Sequence, residues 1–236
     1  MLEVTDLCVG YNLNDVVHDA TFTVAEREAV AIIGSNGAGK TTLLRAVCGL
    51  LPATSGSVRF DGQEVLGTDA HALSRSGMAY VPAERRLFPQ MSVAENLTLG
   101  AYPNRPDAAQ EELVFSLFPR LAERRNQRAG TMSGGEQQML AVGRALMGRP
   151  RVLMLDEPTT GLAPILAADA YAALKTLKEE GMTVLVAEQQ VPLALDLADR
   201  GYVLEDGRIQ LDGSAADLEG NPEVRRAYLG IAGCAP

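Results

Sequence analysis

The sequence predicts an α/β fold with a mostly parallel core sheet, an antiparallel β subdomain and an inserted helical subdomain. Three observations carry that expectation. Short apolar runs alternate with helical stretches, the pattern of a parallel sheet with crossover helices. Two alternating segments near the N-terminus, together with an Asp-Gly pair between short runs, read as antiparallel strands and a hairpin. From about residue 92 to residue 148 the pattern turns helical, which sets that block apart as an inserted lobe.

Taken in order, Leu2-Glu3-Val4-Thr5-Asp6-Leu7 alternates, and so does Ala20-Thr21-Phe22-Thr23-Val24, so both are expected as strands. Val30-Ala31-Ile32-Ile33 is continuously apolar and reads as a fully buried strand. Leu43-Leu44 and Val47-Cys48 recur at helical spacing, with Gly49 as a stop. Val58-Arg59-Phe60 and Gln63-Glu64-Val65 flank Asp61-Gly62 as a hairpin. Met78-Ala79-Tyr80-Val81 is a short strand that Pro82 ends. In the helical block Leu113, Leu117 and Leu121 are expected on one face, and Gly148 with Pro150 closes the block. Residues 151–155 return to a buried strand, and a helix follows over 164 to about 180. Thr183-Val184-Leu185-Val186-Ala187 is one more core strand. Asp206-Gly207 marks a second hairpin before a short helical tail.

The chain has 236 residues, 47% hydrophobic and 22% charged, enough for one large domain or a core with an inserted lobe. A net charge of -9 and no basic stripe argue against a nucleic-acid partner. Arg85-Arg86 and Arg124-Arg125 are local exceptions, read as solvated faces. No apolar run approaches the ~20 residues that cross a bilayer. Met1-Leu2-Glu3-Val4 does not read as a secretion signal. Cys8, Cys48 and Cys234 lack metal spacing and read as reduced thiols, Cys48 as packing. With only His18 and His71, a histidine-rich metal site is excluded.

The strongest motif is Gly34-Ser35-Asn36-Gly37-Ala38-Gly39-Lys40-Thr41, which matches G-x-x-x-x-G-K-[ST] between a strand and a helix. Glycines let successive N–H groups turn inward on a phosphate chain, and the helix N-terminus adds positive potential. Lys40 is suited to the β- and γ-phosphates, and Thr41 to Mg²⁺. A second motif is the apolar strand Val152-Leu153-Met154-Leu155 ending in Asp156 and Glu157. Parallel strands present functional groups at their carboxyl ends. There Asp156 suits Mg²⁺, and Glu157 suits orienting and polarising an attacking water. A third is Ser133-Gly134-Gly135-Glu136-Gln137-Gln138. Ser-x-x-Glu is a capping box, and the two glycines expose N–H groups at that helix start, an anion-binding end. A second anion site on a separate lobe makes sense if it faces a γ-phosphate held by another copy or partner.

With these three motifs in this order, nearly the full chain resembles the ATP-binding subunits of ABC transporters. Within them it looks most like the LivF type of branched-chain amino acid importers. Leu117-Phe118-Pro119-Arg120-Leu121, Gly161-Leu162-Ala163-Pro164, Ala187-Glu188-Gln189 and Arg225-Arg226-Ala227-Tyr228-Leu229-Gly230 carry that likeness. The resemblance implies a P-loop NTPase fold of ABC type, a single nucleotide-binding domain over 1–236, and ATP and Mg²⁺ as ligands. ATP would be held by the loop through Thr42, with Tyr11 stacking on the adenine. Two such subunits, identical or different, would pair head to tail across Thr160-Gly161-Leu162. Each ATP would then lie between one phosphate loop and Ser133-Gly134-Gly135-Glu136 of the other. A groove between core and helical lobe would receive a cytoplasmic helix of an integral membrane permease. This puts the chain on the cytoplasmic face of the membrane, serving an external solute-binding protein indirectly. Two departures stand out. Gln189 replaces the family's usual histidine beside the γ-phosphate. Ala83 replaces the usual Gln or Glu toward Mg²⁺, which Glu84 can supply if the loop shifts. The rival expectation is a soluble ABC ATPase that drives protein or cluster assembly without a membrane partner.

Overall fold

The computed structural model describes residues 1–12, 14–102 and 104–228. Strands β1 (Leu2–Tyr11) and β2 (Asn14–Val24) pair antiparallel, with Leu2 opposite Val24 and Val4 opposite Phe22. Both outrun the short alternating segments expected. Asp6 (φ 46°) and Asp19 (φ 51°) sit at irregularities of this pairing. Such a bulge puts two consecutive residues on one side and hides the alternation beyond it. The buried strand β3 (Ala29–Ile33) leads through the glycine loop into α1 (Lys40–Val47). Gly49 (φ 67°) ends that helix in the left-handed conformation expected of a stop. β4 (Ala53–Phe60) turns through Asp61 and Gly62, both at positive φ, into β5 (Gln63–Glu64). Two such residues make the mirror-image turn that suits a two-residue hairpin.

Helix α2 (Ala70–Arg75) precedes β6 (Met78–Val81), which stops before Pro82. The helical block then comprises α3 (Val93–Gly100), α4 (Ala108–Leu117), α5 (Pro119–Glu123), a 3₁₀ turn (Ala129–Thr131) and α6 (Gly134–Leu146). One expectation is corrected here. Leu113, Leu117 and Leu121 do not share a face of one helix. Phe118 (φ -128°, ψ 72°) breaks the path, because the residue before Pro119 is pushed out of the helical region. Val114, Phe118 and Leu121 fill the core instead, while Leu113 and Leu117 are only partly buried, Leu117 packing against that core.

The chain returns to the main sheet as β7 (Val152–Asp156), α7 (Pro164–Glu179), β8 (Thr183–Glu188), α8 (Val191–Leu197), β9 (Arg200–Glu205) and β10 (Arg208–Ser214). Short helices α9 (Ala215–Gly220) and α10 (Pro222–Tyr228) follow. Leu229, Gly230 and Cys234 lie outside the described residues. The main sheet has the order β10-β9-β3-β8-β7-β6, parallel except for β10. The smaller antiparallel sheet runs β2-β1-β4-β5.

Period-two side-chain alternation divides the interior in two. Ala31, Ile33, Leu153, Leu155, Val184 and Val186 face the helical block, α7 and α8. Val30, Ile32, Val152, Met154 and Leu185 face α1 and the antiparallel sheet. Neighbours Ile32 and Ile33 therefore anchor opposite layers, each contributing ~1.5–3 kcal/mol of burial. β3, β7 and β8 are fixed from both faces. Their carboxyl ends form a rigid edge that carries the glycine loop, Asp156 with Glu157, and Glu188.

Candidate active site

The glycine loop turns outward from β3 and back into α1. Gly37 (φ 84°) and Gly39 (φ 108°) hold backbone conformations that side-chain-bearing residues rarely adopt. A Cβ at Gly37 would touch nothing, so the positive φ rather than crowding is what calls for glycine there. α1 has no side-chain cap, leaving its first N–H groups free for an anion. Ser35, Asn36 and Gly37 form the exposed rim, while Ala38, Gly39, Lys40 and Thr42 are buried. The Lys40 ammonium curls into the loop. It donates to the Gly34 and Ser35 carbonyls, both at 2.9 Å, and pairs with Glu157 Oε1 at 3.1 Å.

At the end of β7, the Thr41 hydroxyl donates to Asp156 Oδ1 at 3.0 Å, and the Tyr80 hydroxyl to Asp156 Oδ2 at 2.9 Å. Burial raises the Asp156 carboxyl above the ordinary carboxylate range, against the hydrogen bonds from Tyr80 and Thr41, and the charge of Glu157 adds to the rise. Burial likewise pushes the Tyr80 phenol up, reinforced by the Asp156 charge, so it remains a donor at neutral pH. Converging hydroxyl and carboxylate oxygens of Thr41 and Asp156 fit a hard divalent cation such as Mg²⁺. Glu157 sits at φ 45° on the turn out of β7, its N–H donating to the Ala187 carbonyl at 2.8 Å. Its Oε2 accepts from the Thr160 hydroxyl at 3.0 Å.

Ser133 caps α6 as the motif predicts. Its N–H and hydroxyl both donate to Glu136 Oε2 at 2.9 Å, and its oxygen accepts from the Glu136 N–H. Arg124 reaches the other Glu136 oxygen at 2.7 Å. Burial would raise the Glu136 carboxyl, but the Ser133 hydrogen bonds and the charges of Arg124 and Arg120 outweigh it and hold it below the ordinary range. The two glycines have different reasons. A Cβ on Gly135 would lie 2.7 Å from Leu166 Cδ1, so this glycine lets α6 approach α7. Gly134 is half-buried, and a Cβ there would lie 3.4 Å from Arg85 Nη1, so that guanidinium rests against the tip. No hydrogen bond or ion pair joins Ser133, Gly134, Gly135 or Glu136 to Gly34–Thr42 among the described residues.

Tyr11 ends β1 with its ring 44% exposed, open to stacking. Gln189 is exposed just past β8, and its N–H donates to Glu188 Oε2. Glu84 pairs with Arg45 at 3.1 Å rather than with Thr41 or Asp156. Beside β6, a groove of about 430 Å³ is lined by Arg75, Tyr80, Tyr102, Arg144, Arg149 and Arg151. A neighbouring cleft brings in the exposed Phe88 and Leu99.

Two residues have contacts that the sequence did not suggest: Glu188, read only as part of a family likeness, and Arg85, expected on a solvated face but instead half-buried and hydrogen-bonded. Glu188 is buried and accepts from the Thr159 N–H and hydroxyl and from the N–H groups of Gln189 and Gln190. Arg85 reaches from the loop after β6 to Gln138 and to the Thr160 carbonyl. Neither carries a spacing signal for these contacts, because Thr159 lies 29 residues from Glu188, and Gln138 and Thr160 lie 53 and 75 residues from Arg85.

Residues 17–160 match the ABC transporter family. The chain is 48% identical over 232 residues to the high-affinity branched-chain amino acid transport ATP-binding protein BraG of Pseudomonas aeruginosa, covering 98% of this chain and 100% of that one. It is 34% identical over 234 residues to the probable branched-chain amino acid transport ATP-binding protein LivF of Archaeoglobus fulgidus, covering 98% and 99%. Its fold matches the ADP conformation of MJ1267, an ATP-binding cassette of an ABC transporter, with a TM-score of 0.83 and 26% identity over 98% of each chain.

Proposed function

The chain belongs to the ABC transporter family of ATP-hydrolysing subunits, and we propose that it energises an importer of branched-chain or related amino acids. The observation that carries this reading is the 48% identity to BraG along essentially both full lengths. The soluble assembly ATPase is set aside because these full-length relatives are transport subunits. Among the described residues no helix is long and apolar enough to cross a membrane. In the proposed reading the chain works at the cytoplasmic face through integral permease subunits, a placement supported by its transport ATP-binding relatives. The groove beside β6 receives a cytoplasmic helix of the permease. The helical lobe is the segment over 92–148 of one nucleotide-binding domain.

In this reading the loop amides of residues 34–42 and Lys40 bind the phosphates of ATP, and Tyr11 stacks on the adenine. Thr41 and Asp156 hold Mg²⁺, which when bound neutralises charge on the β- and γ-phosphoryl oxygens. Glu157 orients the attacking water and accepts its proton, and Gln189 donates a hydrogen bond near the γ-phosphate. Ser133 through Glu136 of a second ATP-binding subunit, docked head to tail, complete the site. ATP binds the closed pair better than the open one, and that difference is what moves the permease. The test is uptake of labelled leucine, isoleucine and valine in cells lacking this chain. Uptake should be lost, and restored by the wild-type chain but not by Glu157→Gln. Unchanged uptake of all three would overturn the reading.

A further inference from the structure

We propose that Arg85 is a positioning residue: it straps the helical lobe to the turn that holds Glu157, so that the lobe's position sets the aim of that carboxylate. The proposal rests on the hydrolytic role given to Glu157 above. Arg85 Nε donates to Gln138 Oε1 on α6 at 3.2 Å, and its Nη2 donates to the Thr160 carbonyl at 3.3 Å. The Thr160 hydroxyl in turn donates to Glu157 Oε2 at 3.0 Å. One guanidinium thus spans α6 of the helical block and the turn after β7. Its forked, planar donors suit a link to two acceptors at once.

The strap's own backbone is held to the same helix. Arg144, six residues beyond Gln138 on α6, donates to the Arg86 carbonyl at 2.8 Å and to the Arg85 carbonyl at 3.2 Å. Arg85 (φ 60°) and Arg86 (φ 46°) are consecutive non-glycine residues in the left-handed region. Such strain persists only where the surroundings over-determine it. Gln138 adds an independent sign. Its side chain is buried, its Oε1 serves Arg85, and its Nε2 has no partner. A purely structural position would do better with an apolar side chain, since an unmet buried donor is destabilising. The polar side chain here makes the Arg85 contact possible.

The experiment is steady-state ATPase of the full chain, alone and in the complex co-purified with its membrane subunits. Arg85→Ala should lower kcat by ~10- to 100-fold, the loss expected from a small misplacement of a reacting group, with KM for ATP nearly unchanged. Gln138→Met, which removes the acceptor and the unmet donor together, should lower kcat similarly while leaving the thermal midpoint equal or higher. Gln138→Glu keeps an acceptor and should retain most activity. The Arg85→Ala, Gln138→Met double variant should be no worse than Arg85→Ala alone. Wild-type kcat in Gln138→Met, or additive losses in the double variant, overturns the strap. Wild-type turnover in a Glu157→Gln control overturns the reading of Glu157 itself, whatever Arg85 does.

Discussion

Lys40 Nζ lies 3.1 Å from Glu157 Oε1, with the lysine almost wholly buried and the carboxylate 18% exposed. The residue proposed to grip phosphate and the residue proposed to activate water thus pair with each other. In the proposed reading phosphate oxygens compete with Glu157 for the Lys40 ammonium, and a Glu157 carboxylate relieved of that pair can accept a hydrogen bond from water. Glu157→Gln is therefore expected to bind ATP at least as tightly as the wild type, because Lys40 is released from one competing partner. Turnover should fall by ~10²–10⁴, the usual effect of losing a positioned proton acceptor. Fluorescent-nucleotide titration and a phosphate-release assay on the same preparation check both halves.

Much of this site was legible in the sequence because its parts are local. A continuous apolar run, spaced glycines and a Lys-Thr pair at a helix start need no tertiary knowledge. The same holds for two carboxylates ending an apolar strand and for the Ser133–Glu136 capping box. What was hidden is long-range or strained. The Asp6 bulge breaks the alternation that marks β1, and Pro119 splits a helix whose leucines looked collinear. The role of Gly135 in admitting Leu166, the buried partners of Glu188 and the reach of Arg85 to Gln138 join segments far apart in the chain. Periodicity carries no trace of such contacts.

The Glu136 carboxylate should give α6 a pH-dependent anchor. Its folded-state pKa lies below the ordinary range: burial pulls upward, but the Ser133 hydrogen bonds and the charges of Arg124 and Arg120 prevail. A lowered carboxyl contributes stability that is present above its unfolded pKa and lost as pH falls through the folded one. Glu136→Gln is expected to lower the thermal midpoint at pH 7 by roughly 2–4 °C, the shift that about 1 kcal/mol produces in a chain of this size. The difference should vanish on acidification below the carboxylate range. Calorimetry across pH checks it, and a gap that persists in acid would mean the carboxylate's charge is not what holds the cap.

Glu84 is the acidic residue nearest in sequence to the site where Ala83 offers no ligand. Its carboxylate is engaged by Arg45 on α1 and is more than half exposed. Exposed pairs of this kind contribute ~0–1 kcal/mol, so breaking this one should not disturb the fold. Glu84→Gln is expected to leave the Mg²⁺ concentration for half-maximal ATPase within about twofold of wild type, since Thr41 and Asp156 are the oxygen donors that converge. A rise of tenfold or more in a magnesium titration would instead make Glu84 a ligand that leaves Arg45 when the loop shifts.

Ser133 combines two functions that substitution can separate. Within the chain its oxygen accepts from the Glu136 N–H and its hydroxyl donates to the Glu136 carboxylate, which anchors α6. In the assembled pair the same tip would face a γ-phosphate. Ser133→Ala removes the cap and should be destabilising by about 1 kcal/mol, as N-cap losses are. It should slow ATPase in the complex while leaving nucleotide affinity of the isolated chain unchanged. Ser133→Asp keeps a side-chain acceptor for the helix N–H groups but places a second carboxylate beside Glu136 and a negative charge where the phosphate would sit. It should therefore suppress turnover more than Ser133→Ala does, at equal nucleotide affinity in isolation. If the aspartate variant hydrolyses ATP in the complex as fast as the wild type, the tip does not meet the phosphate and the shared site is wrong.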